Sequence, residues 1–87
     1  MNDVTREVYR IVGETLRVPP EELRPDLLIR AIPNAESIKM LTVILKVERQ
    51  FDIEIPDEAT FGVATVGDFD ELVQTLAAGR AAVIGRR

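Results

Sequence analysis

The 87-residue chain has no cysteine and no histidine, and each absence removes a class of chemistry. Without cysteine there is neither a disulfide framework nor a thiolate metal site, and without histidine the commonest general base and metal ligand is missing. Apolar runs are short: none approaches the ~20 residues that cross a bilayer, and residues 1–10 mix their charges evenly, unlike the basic-then-apolar order of an export signal. Internal repeats and low-complexity tracts are absent. Basic residues are outnumbered, 11 Lys and Arg against 15 Asp and Glu. The resulting net charge of −4 argues against nucleic acid as the main partner, because counterion release needs a basic face. The expectation from these gaps is a single small domain, cytoplasmic by default and without a metal of its own. A chain this short buries only roughly 60% of its unfolded surface, so its stability must come from dense helix packing.

What is present is helical pattern. After Asn2 and Asp3, both good caps, Val4, Val8, Ile11, Val12 and Leu16 recur at the spacing of one amphipathic face, and Pro19 and Pro20 stop the helix near residues 17–18. Residues 19–34 hold four of the five prolines with Leu23, Leu27, Leu28 and Ile32 between them, which predicts a long first loop pinned to the core by its own apolar side chains. A second helix is predicted over 37–50. Its polar residues Lys39, Thr42, Lys46 and Arg49 form one stripe, and apolar residues cover most of the rest, which marks it as the central helix. Phe51 to Ile55 alternates like a strand but has no partner strand and reads as an extended loop. Residues 57–60 make a brief extra helix that ends by Gly62, and Thr65 and Asp68 have capping-box spacing at the head of a last helix that fades near Gly79. The expected fold is therefore all-α: a small bundle of three main helices plus a short extra one, with residues 1–78 as the domain and 79–87 as a mobile tail.

Two segments carry a resemblance. Glu36-Ser37-Ile38 opens the central helix, and Phe51-Asp52-Ile53-Glu54-Ile55-Pro56-Asp57-Glu58 lies one helix length downstream. Together they resemble the acyl carrier protein family, in which the serine of an Asp-Ser-Leu motif is the attachment point and a Phe-Asp-x-x-Ile-Pro-Asp-Glu stretch follows. Pro20-Glu21-Glu22-Leu23, Pro25-Asp26 and Thr65-Val66-Gly67-Asp68 extend the likeness over residues 4–76. The resemblance implies 4′-phosphopantetheine, taken from coenzyme A by a separate transferase and fixed covalently to Ser37 beside Glu36 and Ile38, with a thiol that holds the cargo as a thioester. The chain would then be a monomeric carrier and not an enzyme, its reactive sulfur arriving with the cofactor. Independently, a serine at a helix start meets free backbone N–H groups and a positive dipole end, which favour a phosphodiester; the same position also suits a plain helix cap.

Two departures from the family bear on partners. Glu36 replaces the aspartate. The stripe of the central helix, acidic in the family, here carries three bases against two acids over residues 36–50, while residues 51–71 hold seven acids and no base. Lys39, Met40, Val43 and Lys46 are accordingly expected to meet a dedicated partner with an acidic surface, and general fatty-acid synthase enzymes are expected to bind poorly. The stripe also fits simple solvated surface, and Met40 and Val43 also fit the core. Ile44, Leu45, Phe51, Ile53, Ile55, Phe61 and Leu72 are equally compatible with a cleft for an acyl chain and with a solid core. The acids at 57, 58, 68, 70 and 71 lack the ligand spacing of a calcium loop and read as helix-start residues. The function expected is acyl carriage in a specialised lipid or polyketide pathway, with an aminoacyl or peptidyl carrier and an unmodified helical interaction module as the alternatives.

Overall fold

A computed structural model of the chain describes residues 2–33 and 37–85, the side chains of Ser37 and of residues 80–85 excepted. Three α-helices form: α1 (Asp3–Leu16), α2 (Ser37–Phe51) and α3 (Val66–Gly85). Asn2 caps α1, its Oδ1 accepting the Thr5 N–H at 2.8 Å, and Val8, Ile11, Val12 and Leu16 line the buried face. The helix ends where Arg17 takes a left-handed conformation (φ 58°) and the Val18 N–H reaches back to the Gly13 carbonyl at 3.0 Å.

The first loop contains two 3₁₀ turns, Pro20–Glu22 and Ile29–Ala31, and Ile32 buries itself at its end. It is fastened to the approach to α3 by backbone bonds: Ile29 N–H to the Ala64 carbonyl (3.0 Å), Val66 N–H to Leu27 (3.0 Å) and Gly67 N–H to Pro25 (2.9 Å). Leu28 and Thr65 form an isolated bridge there, and no strand occurs among the described residues. Gly67 is required by this contact, because a Cβ on it would sit 2.9 Å from the Pro25 carbonyl oxygen.

At the end of α2, Asp52 has φ 54° and the Glu48 carboxylate accepts the Ile55 N–H at 2.7 Å, which turns the chain and drops Ile55 into the core. A 3₁₀ turn, Asp57–Gly62, follows Pro56, in the place of the short extra helix. The capping box forms as its spacing predicts: Thr65 Oγ1 accepts the Asp68 N–H at 3.0 Å, while Asp68 Oδ2 accepts the N–H groups of Ala64 and Thr65. Those backbone donors hold the Asp68 carboxyl below the ordinary aspartate range. The last helix does not fade at Gly79. It continues to Gly85, because Ala77, Ala78, Ala81 and Ala82 are strong helix formers around a glycine that costs only about 1 kcal/mol.

Val8, Leu16, Val43, Val47, Val66, Phe69 and Val73 are the most deeply buried side chains. The sequence reading places α2 at the hub, but α1 makes the extensive contacts, with both α2 and α3. The reason is that α2 leaves much of its apolar surface outside. α1 runs antiparallel to α3, as the cross-links show: Thr5 Oγ1 donates to Asp70 Oδ2 (2.8 Å), Gln74 Nε2 donates to the same oxygen (2.9 Å) and to Thr5 Oγ1 (3.0 Å), and Asn2 Nδ2 donates to Gln74 Oε1 (3.0 Å). Asp70, grouped with the helix-start acids in the sequence, is a buried link between two helices. No helix among the described residues is long and apolar enough to cross a membrane.

Candidate functional site

The backbone becomes helical at Ser37, so α2 opens on the serine that the sequence singles out. The first N–H groups of a helix have no intrahelical acceptor, and their dipoles give that end a partial positive charge. No acid lies in the first turn of α2, and Lys39 adds a cation. Ile38 is 78% exposed, so this turn looks outward, and Thr42 Oγ1 donates to the Ile38 carbonyl at 3.0 Å, steadying the turn above it. This end of α2 is a fitting seat for a phosphodiester. Glu36 and the Ser37 side chain lie outside the described residues.

The other residues expected at the site divide. Lys46 is exposed, and Lys39 and Met40 are half-buried. Val43 is fully buried, 0% exposed, in the core between the helices, which corrects its assignment to a partner surface: it sits on the face of α2 that also carries Val47, one turn further on. The sequence reading sets Ile38 at the root of the arm and Leu45 in a possible cleft, gives Leu41 no site role, and places none of the three on the partner surface, where they take the place of Val43. Ile38, Leu41 and Leu45 stand 78%, 54% and 53% exposed at spacing i, i+3, i+7, along the centre of the outward face. Their signal was available: α2 carries more apolar residues than one buried face of a helix accommodates.

Among the residues proposed for a cleft, Ile55 is core, and Ile44, Phe51, Ile53 and Leu72 pack half-buried against it. Leu45 and Phe61 do not join them; Phe61, at the end of its 3₁₀ turn, is 85% exposed. Lys46 Nζ donates to Thr15 Oγ1 at 3.3 Å across a groove of about 500 Å³ between α1 and α2, which Leu45 and Arg49 also line. No group of acids placed to hold a metal ion occurs among the described residues.

The family model described as "Phosphopantetheine attachment site" matches residues 6–73, which take in the start of α2, the turn after it and the cap of α3. A curated relative, named "Acyl carrier protein", from Prochlorococcus marinus (strain MIT 9515), is 36% identical over 72 residues, covering 83% of this chain and 90% of the relative. The family match takes in most of α1, the fastened first loop, all of α2 and the first turns of α3, and the attached group the two matches indicate is 4′-phosphopantetheine, held covalently. When bound, that group supplies a thiol on a long flexible arm, able to hold a carboxylic acid as its thioester. Members of such a family interact with the transferase that loads the arm and with acyl-handling enzymes. The helical architecture, the outward first turn of α2 and the two matches together establish that the chain belongs to the acyl carrier protein family.

Proposed function

We propose that Ser37 is the attachment point of the arm and that the chain ferries a thioester-bound acyl group between enzymes of a specialised lipid or polyketide pathway. The observation that carries the assignment is the start of α2 at Ser37, inside the matched region, with no acid in its first turn and an exposed neighbour in Ile38. The backbone donors of the first turn and Lys39 stabilise the phosphodiester, Ile38 offers apolar surface beside the arm's root, and the turn faces outward to admit a transferase. Nothing in the chain needs to act as base, because the serine is activated by the loading enzyme. The carrier unit is residues 1–78. Support for a specialised pathway comes from the inverted charge of the α2 stripe, which suits a dedicated partner better than enzymes that dock on acidic carriers. A solid core around Ile55 and Phe69 is also compatible with an aminoacyl or peptidyl cargo that stays outside.

Intact-mass measurement after incubation with coenzyme A and a broad-specificity phosphopantetheinyl transferase tests the assignment. The wild type should gain one phosphopantetheine and Ser37→Ala none. Absence of any gain on folded protein, with several transferases tried, would leave the chain as an unmodified helical interaction module.

A further inference from the structure

The outward face of α2 combines an exposed apolar row with exposed basic side chains that pair with no acid among the described residues. Ile38, Leu41 and Leu45 make an exposed apolar row about two turns long. Lys46 and Arg49, both exposed, flank it and form no ion pair among the described residues. The one acid within α2, Glu48, is committed elsewhere, since its carboxylate caps the Ile55 N–H at 2.7 Å. Across the groove, Arg10 is held by Glu7 (2.6 Å) and Glu14 (3.0 Å), two acids to one base, so α1 adds no net positive charge there and the basic side of the groove is Lys46 and Arg49 of α2. An exposed apolar strip with cations that meet no acid along one edge is complementary to an amphipathic helix whose apolar stripe is bordered by carboxylates.

We infer that the partner element received by α2 is an amphipathic helix with an acidic border, its apolar side chains covering Ile38, Leu41 and Leu45 and its carboxylates meeting Lys46 and Arg49 over the α1–α2 groove. The placement also sets a ruler. Lys46 and Arg49 follow Ser37 by nine and twelve residues, about 14 and 18 Å along the helix axis. The acidic border of the partner therefore lies that far from the point where the arm enters it. This inference rests on the carrier reading for its ruler but not for the contact itself.

The test uses the unmodified full chain, labelled with ¹⁵N, and a synthetic helical peptide with a leucine stripe bordered by glutamates, against a twin bordered by lysines. The acidic peptide should shift amides of α2 and the facing side of α1, weaken with added salt, and lose affinity about tenfold in the Lys46→Glu/Arg49→Glu double variant. Circular dichroism checks that this surface variant remains folded. Shifts that are absent, lie elsewhere or appear equally with the lysine twin would overturn the inference. So would concentration-dependent self-association in sedimentation that the double variant abolishes, because the face would then belong to a second copy. Since Ser37 is unmodified throughout, a positive mass test with a negative peptide titration retains the carrier and removes only this partner.

Discussion

Asp70 shows how much one side chain changes meaning between sequence and structure. It stands in the sequence among acids that look solvated, yet it is 7% exposed, and its Oδ2 receives two donors while Oδ1 is buried with no partner among the described residues. Removing one partner from such a cluster exposes the others to the full desolvation penalty, so the link fixes the α1–α3 register as well as contributing energy. Its charge is also felt by Tyr9, whose phenol is pushed above the ordinary tyrosine value, by burial first and by Asp70 second. The chain has a single tyrosine and no tryptophan, so ultraviolet titration reads this one group without interference. Asp70→Asn should move the Tyr9 midpoint down toward the ordinary value without reaching it, because the burial remains. An unchanged midpoint would show that Asp70 does not act on Tyr9.

At the scale of elements, the contact that matters most for the site is the fastening of the first loop to the approach to α3, since that loop delivers the chain to the start of α2. The close approach at Gly67 is the point to test. A methyl group there meets the Pro25 carbonyl at 2.9 Å and Pro25 Cβ at 3.1 Å, neither of which can yield without moving backbone. Gly67→Ala should therefore cost about 1–3 kcal/mol in chemical denaturation. Gly62→Ala, which meets open space without a positive φ, should instead stabilise by up to about 1 kcal/mol through the unfolded state. Equal effects of the two would remove the close approach from the account. The sequence shows the helices because capping and periodicity are local: Asn2, the Thr65–Asp68 box and the Pro19-Pro20 stop all act within a few residues. It does not show the Ala64–Ile29 pairing or the Thr5–Asp70 link, which join positions far apart in the chain and leave no periodic trace. The site was legible in the same uneven way. Ser37 at a helix start could be read directly, whereas the burial of Val43 and the exposure of Leu41 and Leu45 depend on which side of α2 meets α1.

The whole molecule is electrically lopsided. Its net charge of −4 conceals a basic strip on α2 against seven acids and no base over residues 51–71. Fields of this kind act mainly on encounter: they orient an approaching partner and repel the wrong one, and salt weakens them over a Debye length of about 8–10 Å. Acyl carriers of the resembled type present an acidic strip to basic patches, so an enzyme serving such carriers meets like charge here. Changing Lys39, Lys46 and Arg49 together to glutamate alters the sign of the strip without touching the core, since the first is half-buried at most and the other two are exposed. The triple variant should be loaded by such an enzyme with a kcat/KM at least about tenfold higher than the wild type at low salt. The gain should shrink steadily as ionic strength rises, because steering is screened whereas apolar contact through Ile38, Leu41 and Leu45 is not. A gain that ignores salt would assign discrimination to shape, and no gain at all would show that the strip is solvated surface with no part in choosing partners.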